Sequence, residues 1–114
     1  MGNIYLDIYL GTIYIMHIIS RKTLIEFYTI NEFSDSKGQL ESWYYEAKHA
    51  DWTSPSDVKE KYRSASILKN NRIVFNIAGN KYRLVVRVNF DSKAIFIRFI
   101  GTHKEYDKID AENI

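Results

Sequence analysis

Three side chains that can move protons lie close together near the C-terminal end of the chain: His103, Lys104 and Tyr106. Imidazole, ammonium and phenol are groups that phosphodiester cleavage without a metal can use, because a 2′-hydroxyl must lose a proton and the departing 5′-oxygen must gain one. A cation placed where charge develops on phosphorus supplies the remaining step. A lone histidine in a surface turn is more often structural than catalytic, so the hypothesis depends on what surrounds it.

The last third of the chain alternates with period two and predicts a three-stranded antiparallel meander. The alternating runs cover residues 72–77, 81–90 and 93–100, and Gly79-Asn80 between the first two is typical of a two-residue hairpin turn. This turn pairs residue 72 with 87, 74 with 85 and 76 with 83. One face is then wholly apolar or aromatic and is predicted to pack on helices: Ile73, Phe75, Ile77, Tyr82, Leu84, Val86, Val88, Phe90, Ile95, Ile97 and Phe99.

The opposite face of the meander carries four arginines and no acid. Its members are Arg72, Val74, Asn76, Arg83, Val85, Arg87, Asn89, Phe96, Arg98 and Ile100. With a second turn at Ser92-Lys93, Arg87 lies across from Arg98, and like charges in that position destabilise a sheet. A turn at Asp91-Ser92 changes the partners but keeps the faces.

These arginines predict a bound phosphate, because a guanidinium fork matches phosphate geometry. The alternative is a solvent-exposed face on which arginine stems cover Val85 and Phe96. The apolar members of the face also indicate that a chain segment or a partner covers part of it.

The preceding residues have helical periodicity. After a short first strand at residues 16–20, Ser20 is predicted to cap a helix over residues 21–33. Residues 36–39 resemble a capping box, and the helix after them carries the stripe Leu40, Trp43, Tyr44, Ala47 and Ala50. Ser54-Pro55 starts a third helix, expected over residues 55–62.

Composition and charge narrow the classes of function. The chain has 114 residues, 46% of them hydrophobic, and no cysteine, which indicates one globular domain without a disulfide framework or a thiolate metal site. Residues 23–57 hold seven acids against two lysines, whereas residues 58–114 hold twelve Lys/Arg against six acids. A basic C-terminal half favours an anionic partner such as nucleic acid, and a solvated surface is the alternative. No apolar run reaches the length of a membrane span.

Several stretches together form a specific combination: MHIISRK from residue 16, VFNIAGNKYRLVV from residue 74 and IRFIGTHKEYD from residue 97, with WYYEA and ADW between them. In these stretches the chain resembles the HigB-type toxins of the RelE superfamily, over residues 16–114. The resemblance implies an α+β fold with N-terminal helices packed on one face of a three- to four-stranded antiparallel sheet. Residues 1–15 lie outside the resemblance. We expect them to be an extension from an early translation start or an added segment, and an extra strand is the alternative.

The resemblance also implies an activity: ribosome-dependent cleavage of translated mRNA in the cytoplasm, neutralised by a HigA-type helix-turn-helix antitoxin. We expect Arg83 and Arg98 to bind the scissile phosphate, with His103 transferring protons and Tyr106 assisting. Further RNA contacts are expected from Arg72, Asn76, Arg87 and Lys104, and ribosomal RNA contacts from Lys48, Lys59 and Lys61, although a solvated helix surface explains each of these three lysines equally well.

No metal or other cofactor is expected, since pairs such as His103 with Asp107 or His49 with Asp51 supply too few ligands. Two other functions remain open from the sequence. One is a module that binds RNA or protein without cleaving it, and the other is a ParE-like relative that poisons gyrase. The pair His103 and Tyr106 argues against the second, because such gyrase poisons are expected to lack a proton-transfer set at the end of the sheet.

Overall fold

The computed structural model describes residues 5–7 and 12–114. Its elements in chain order are β1 (Tyr5–Asp7), β2 (Thr12–Tyr14), β3 (His17–Ile19), α1 (Arg21–Tyr28), a 3₁₀ helix (Asn31–Ser36), α2 (Lys37–His49), α3 (Pro55–Lys61), β4 (Ser66–Ile67), β5 (Arg72–Ile77), β6 (Tyr82–Asn89), β7 (Ala94–Thr102) and α4 (His103–Tyr106). Residues 1–4 and 8–11 of the predicted N-terminal extension lie outside the described residues. No helix in the described part is long and apolar enough to cross a bilayer.

The main sheet is mixed and has five strands in the order β3-β7-β6-β5-β4, while β1 and β2 pair separately. Strands β4 to β7 are antiparallel neighbours, and β3 runs parallel to β7, with Ile18 opposite Ile95. The α+β class is confirmed, but the expectation of a purely antiparallel sheet of three to four strands is wrong. The two-residue strand β4 was not predicted, because Ser66 and Ile67 are too short a run to show alternation.

The β5–β6 hairpin has the predicted register, with Arg72 opposite Arg87, Val74 opposite Val85 and Asn76 opposite Arg83. The turn closes through the Lys81 N–H, which donates to the Ala78 carbonyl at 3.3 Å. Positive φ angles at Ala78 (53°) and Gly79 (66°) reverse the chain.

The β6–β7 pairing differs from one of the two predicted registers and contains an irregularity. Arg87 lies opposite Phe96, as a turn at Asp91-Ser92 requires, so the proposed opposition of Arg87 and Arg98 is wrong. Val86 pairs with Ile97 but Val85 pairs with Phe99, which leaves Arg98 as the extra residue of a β-bulge.

The bulge exchanges the two faces of β7 beyond Arg98. Phe99 packs with Val74 and Val85 on the outer face, meaning the side of the sheet away from the helices. Ile100 packs with the core on the inner face. Both assignments are the reverse of the prediction, because the apolar residues on either side of Arg98 fit both faces and hide a one-residue shift of period.

The helices bury their predicted stripe against the inner face. Leu40, Trp43 and Ala47 of α2 are fully buried with strand residues such as Leu84 and Val86. The first helix is shorter than predicted: α1 ends at Tyr28, and the 3₁₀ helix follows.

Three predicted caps are absent, and the first is at Ser20, which precedes α1 without a side-chain capping hydrogen bond. The Ser36 hydroxyl donates to the Phe33 carbonyl at 2.7 Å rather than capping α2. Gln39 reaches the β5–β6 hairpin instead, where its side-chain oxygen accepts from the Ala78 N–H and its amide nitrogen donates to the Asn76 carbonyl at 3.4 Å. Ser54 precedes α3 without a capping hydrogen bond, and Asp57 accepts from the Thr53 N–H at 2.8 Å.

Candidate active site

The short helix α4 begins directly where β7 ends, and a capping box fixes its first turn. The Thr102 side chain accepts from the Glu105 N–H at 3.1 Å, while the Glu105 carboxylate accepts from the Thr102 N–H at 2.8 Å. The preceding Gly101 makes room for this arrangement: a Cβ there would lie 2.6 Å from Phe99 Cζ and 2.8 Å from Glu105 Oε1. Reciprocal bonds of this kind satisfy two free donors at a helix start.

His103 is the first residue of α4 and its ring is half in solvent, with 52% of the side chain exposed. The backbone N–H of His103 donates to the Lys81 carbonyl at 2.9 Å, and this bond connects α4 to the start of β6. Nδ1 lies 3.5 Å from Asp107 Oδ2, one helical turn later. A carboxylate in this position helps to orient the ring.

Tyr106 lies at the other end of α4, where a second apolar cluster covers the outer face of the sheet. Its ring is 6.5 Å from that of Phe99. The cluster joins Val74 and Val85 of the sheet to the C-terminal residues Tyr106, Ile109, Ala111 and Ile114, with Leu68 and Phe99. The expectation that a chain segment covers part of the arginine face is therefore confirmed, and the segment is residues 106–114.

Arg83 lies beside the start of α4, because it pairs with Gly101 across the β6–β7 ladder. It is 9% exposed. Nη1 donates to the carbonyls of Asn80 (3.2 Å) and Tyr82 (3.1 Å). No carboxylate pairs with it among the described residues. The described contacts of this buried guanidinium are thus with backbone carbonyls alone, which is an environment that an anion would complete.

The other three arginines lie further along the outer face and differ in environment. Arg72 donates from Nε to the Ile114 carbonyl at 3.1 Å and from Nη1 to the Asn70 carbonyl at 2.9 Å, so the C-terminal segment occupies it. The guanidinium carbon of Arg87 is 4.6 Å from the centre of the Phe96 ring. Arg98 is exposed at the bulge. In the described part of the chain none of the three forms an ion pair with a side-chain carboxylate.

The remaining predicted RNA contacts are dispersed. Asn76 lies opposite Arg83 on β5, and Lys104 is exposed on α4. The Lys59 ammonium donates to the Ala65 carbonyl, and Lys61 Nζ lies 3.7 Å from Glu46 Oε2. Lys48 Nζ lies 5.1 Å from the centre of the Tyr44 ring. The structure thus brings Arg83, Asn76, His103 and Lys104 to one end of the sheet and leaves Lys48, Lys59 and Lys61 on helices α2 and α3.

A polar contact that the sequence did not reveal braces this end of the sheet. The Asp35 carboxylate pairs with Lys81 Nζ and accepts from the Tyr82 hydroxyl at 2.6 Å. These bonds hold the pKa of Asp35 below its ordinary value, Lys81 having the largest effect, and the hydrogen bond from Asp35 is the main reason that the pKa of Tyr82 is raised to about 12. Tyr82 is therefore neutral at physiological pH and serves as a donor, not as a proton-transfer group.

Glu105 and Gly101 are the other residues of the site that the sequence reasoning missed. The pattern Thr-x-x-Glu at residues 102–105 is a sequence signal for a capping box and could have identified Glu105. Within the described residues no three His, Asp or Glu side chains are grouped closely enough to hold a metal ion.

Comparisons with known proteins identify the family of this chain. The model of a family described as "HigB_toxin, RelE-like toxic component of a toxin-antitoxin system" matches residues 36–109. A protein named "mRNA interferase HigB" from Escherichia coli O6:H1 (strain CFT073) is 29% identical over 96 residues, which cover 82% of this chain and 91% of the relative. The "mRNA interferase toxin HigB" of Escherichia coli K12 is 31% identical over 94 residues, or 81% of this chain and 88% of the relative, and the "mRNA interferase HigB" of Shigella flexneri gives the same values. The chain therefore belongs to the HigB toxin family, whose members are RelE-like toxic components of toxin–antitoxin systems.

Proposed function

We propose that this protein is an endoribonuclease that cleaves mRNA on the ribosome by attack of a 2′-hydroxyl on the adjacent phosphate. The observation that carries the proposal is the neighbourhood of Arg83 and His103: a buried guanidinium without a carboxylate partner lies across the ladder from Gly101, and an exposed imidazole follows two residues later. The names of the relatives, which are mRNA interferases, support mRNA as the substrate.

In the proposed reaction the 2′-oxygen forms a bond to phosphorus as the bond to the 5′-oxygen breaks. One proton leaves the 2′-hydroxyl and one is added to the departing oxygen, so the products are a 2′,3′-cyclic phosphate and a free 5′-hydroxyl. His103, with its exposed ring, is the preferred proton-transfer residue, and Tyr106 orients the substrate or assists. Arg83 and Arg98 neutralise the charge that develops on the phosphate oxygens.

The rest of the predicted surface is assigned to binding. Asn76 and Lys104 border Arg83 and His103, where they would contact the message, and Lys48, Lys59 and Lys61 would contact ribosomal RNA from the helical side. Translated mRNA places the reaction in the cytoplasm. A helix-turn-helix antitoxin of the HigA type is the proposed partner, since the family's members belong to toxin–antitoxin systems.

The test is to incubate the purified protein with translating ribosomes and map the ends of the message. His103→Ala combined with Tyr106→Phe is expected to slow cutting at least about a hundredfold, because general acid–base catalysis contributes about 10²–10⁴. Arg63→Ala, an exposed arginine beyond α3, is the control and should cut at the wild-type rate.

Three outcomes would contradict parts of the proposal. Unimpaired cutting by the double variant would remove the mechanism. A wild-type protein that binds ribosomes but leaves messages intact would favour a binding module. Intact messages together with a DNA-damage response on expression would favour a ParE-like gyrase poison.

A further inference from the structure

We propose that the outer face carries a second RNA-binding site, at Arg87 and Phe96, that holds a nucleotide at a distance from the bond that is cut. This inference rests on the proposed function and assigns to Arg87 a different task from that of Arg83. With both sites, the protein would bind an extended single strand of RNA rather than one phosphate.

The C-terminal segment, residues 106–114, separates Arg83 from the pair of Arg87 and Phe96. Ile109, Ala111 and Ile114 pack on Val74 and Val85, in the middle of the outer face. Asn70 fastens this segment by donating to the Glu112 carbonyl at 3.0 Å, and Arg72 fastens its end at the Ile114 carbonyl. Arg83 lies on one side of the covered strip and Arg87 on the other.

The Arg87 guanidinium lies over the Phe96 ring, and both side chains are half-buried. The guanidinium carbon is 4.6 Å from the ring centre, and Arg87 has no carboxylate partner among the described residues. Ile19 of β3 lies opposite Phe96 and is 48% exposed, so the apolar surface continues to the sheet edge. A guanidinium plane that rests on a ring offers its other surface to a nucleobase, and its edge N–H groups remain for a phosphate.

A polar depression of about 300 Å³ adjoins this pair, lined by Asn71, Arg87, Val88, Asn89, Phe90 and Asp91. Asn89 uses its side-chain oxygen to accept from the Ser92 N–H at 3.1 Å, which leaves its amide group as a donor. Asp91 adds a negative charge that disfavours a phosphate but can accept from a base amino group. The depression therefore suits the edge of a base stacked on Arg87.

The spacing along β6 sets the length of RNA involved. Arg83 and Arg87 are four residues apart on one strand, or about 13 Å at ~3.3 Å per residue. A stacked strand rises ~3.4 Å per nucleotide, so about four nucleotides separate the two sites. The scissile phosphate and the stacked base would thus belong to one short stretch of message.

The test measures kcat and KM separately on ribosomes programmed with a defined message. Arg87→Ala is expected to raise KM about tenfold with kcat within twofold of wild type, and Arg87→Lys to recover only part of the loss, because an ammonium keeps the charge but not the plane. Arg83→Ala should instead lower kcat, and Arg63→Ala should change neither. Unfolding by urea checks that Arg87→Ala remains folded.

The two possible failures are distinct. If the wild-type protein does not cut the message, the proposed function is wrong. If it cuts and Arg87→Ala has a KM within twofold of wild type, or loses kcat alone, only the second site is wrong. Full recovery by Arg87→Lys would show that charge without stacking is sufficient, which would also overturn the site as described.

Discussion

Gly101 is the residue on which the local geometry of the site depends most directly. A Cβ at this position would meet Phe99 Cζ at 2.6 Å and Glu105 Oε1 at 2.8 Å, so a side chain would push against both the outer-face cluster and the capping box. We expect Gly101→Ala to lower the free energy of unfolding by about 1–3 kcal/mol, the usual cost of overpacking. Urea unfolding measures it.

Gly38 gives a matched control for this prediction. It lies in the first turn of α2, and a Cβ there would meet nothing within 4 Å. Gly38→Ala should therefore leave the protein equally stable or more stable by up to about 1 kcal/mol, since alanine loses less entropy than glycine in a helix. Equal stability of Gly101→Ala and Gly38→Ala would show that Phe99 and Glu105 move aside at no cost.

At the scale of elements, α4 positions the proposed catalytic groups. It has four residues, too few for stability of its own, and its capping box connects it to β7. Glu105 makes the bond to the Thr102 N–H but its carboxylate has no role in the proposed reaction. It is a positioning residue, because His103 and Tyr106 project from the turn that it closes.

We expect Glu105→Ala to lower kcat about tenfold with KM unchanged, and to reduce stability by about 1 kcal/mol, as loss of a cap does. Glu105→Gln keeps an oxygen that can accept from the Thr102 N–H and should restore most of kcat, which a need for the negative charge would not allow. Steady-state kinetics on translating ribosomes supply the measurement, with Glu60→Ala on α3 as the control. An unchanged kcat in Glu105→Ala would remove the positioning role.

The elements also show where sequence reasoning succeeds and where it stops. Gly79-Asn80 determines the register of the β5–β6 hairpin, so the neighbourhood of Arg83 and Asn76 was predictable. The bulge at Arg98 was not, because apolar residues on both sides of it fit either face equally well. The exchange of Phe99 and Ile100, and with it the outer-face cluster that holds Tyr106, needed the structure.

At the scale of the whole molecule, the split of charge along the sequence becomes a division between layers. The acidic residues 23–57 hold most of α1, the 3₁₀ helix, α2 and the start of α3, whereas the basic residues 58–114 hold the rest of α3, strands β4 to β7 and α4. An anion such as RNA is therefore attracted to the sheet side of the molecule more than to the helical side. The composition predicted this polarity, but not that residues 106–114 would cover the middle of the basic face.

The main fold is expected to be independent of residues 1–15, a division of the chain that can be tested by truncation. Met16 is the first core residue among those whose burial the structure describes, and β1 and β2 form a separate sheet that lies against α2 through β2 but has no ladder to the other five strands. A chain that begins at Met16 loses the hydrogen bond from the Ile15 N–H to the Lys48 carbonyl at 3.1 Å. We expect its free energy of unfolding to fall by no more than about 1 kcal/mol, the net contribution of one such bond.

A second truncation, beginning at Ser20, provides the contrast. It removes β3 and the buried Met16 side chain, whose loss alone should cost about 2–5 kcal/mol by analogy with large-to-small core substitutions. It also removes the edge strand that covers β7, so this chain is expected to be unfolded or aggregated. Circular dichroism and urea unfolding of both truncated chains test whether residues 1–15 are needed for folding. If the chain from Met16 also fails to fold, residues 1–15 belong to the domain. The family resemblance from residue 16 onward would then not mark the domain boundary.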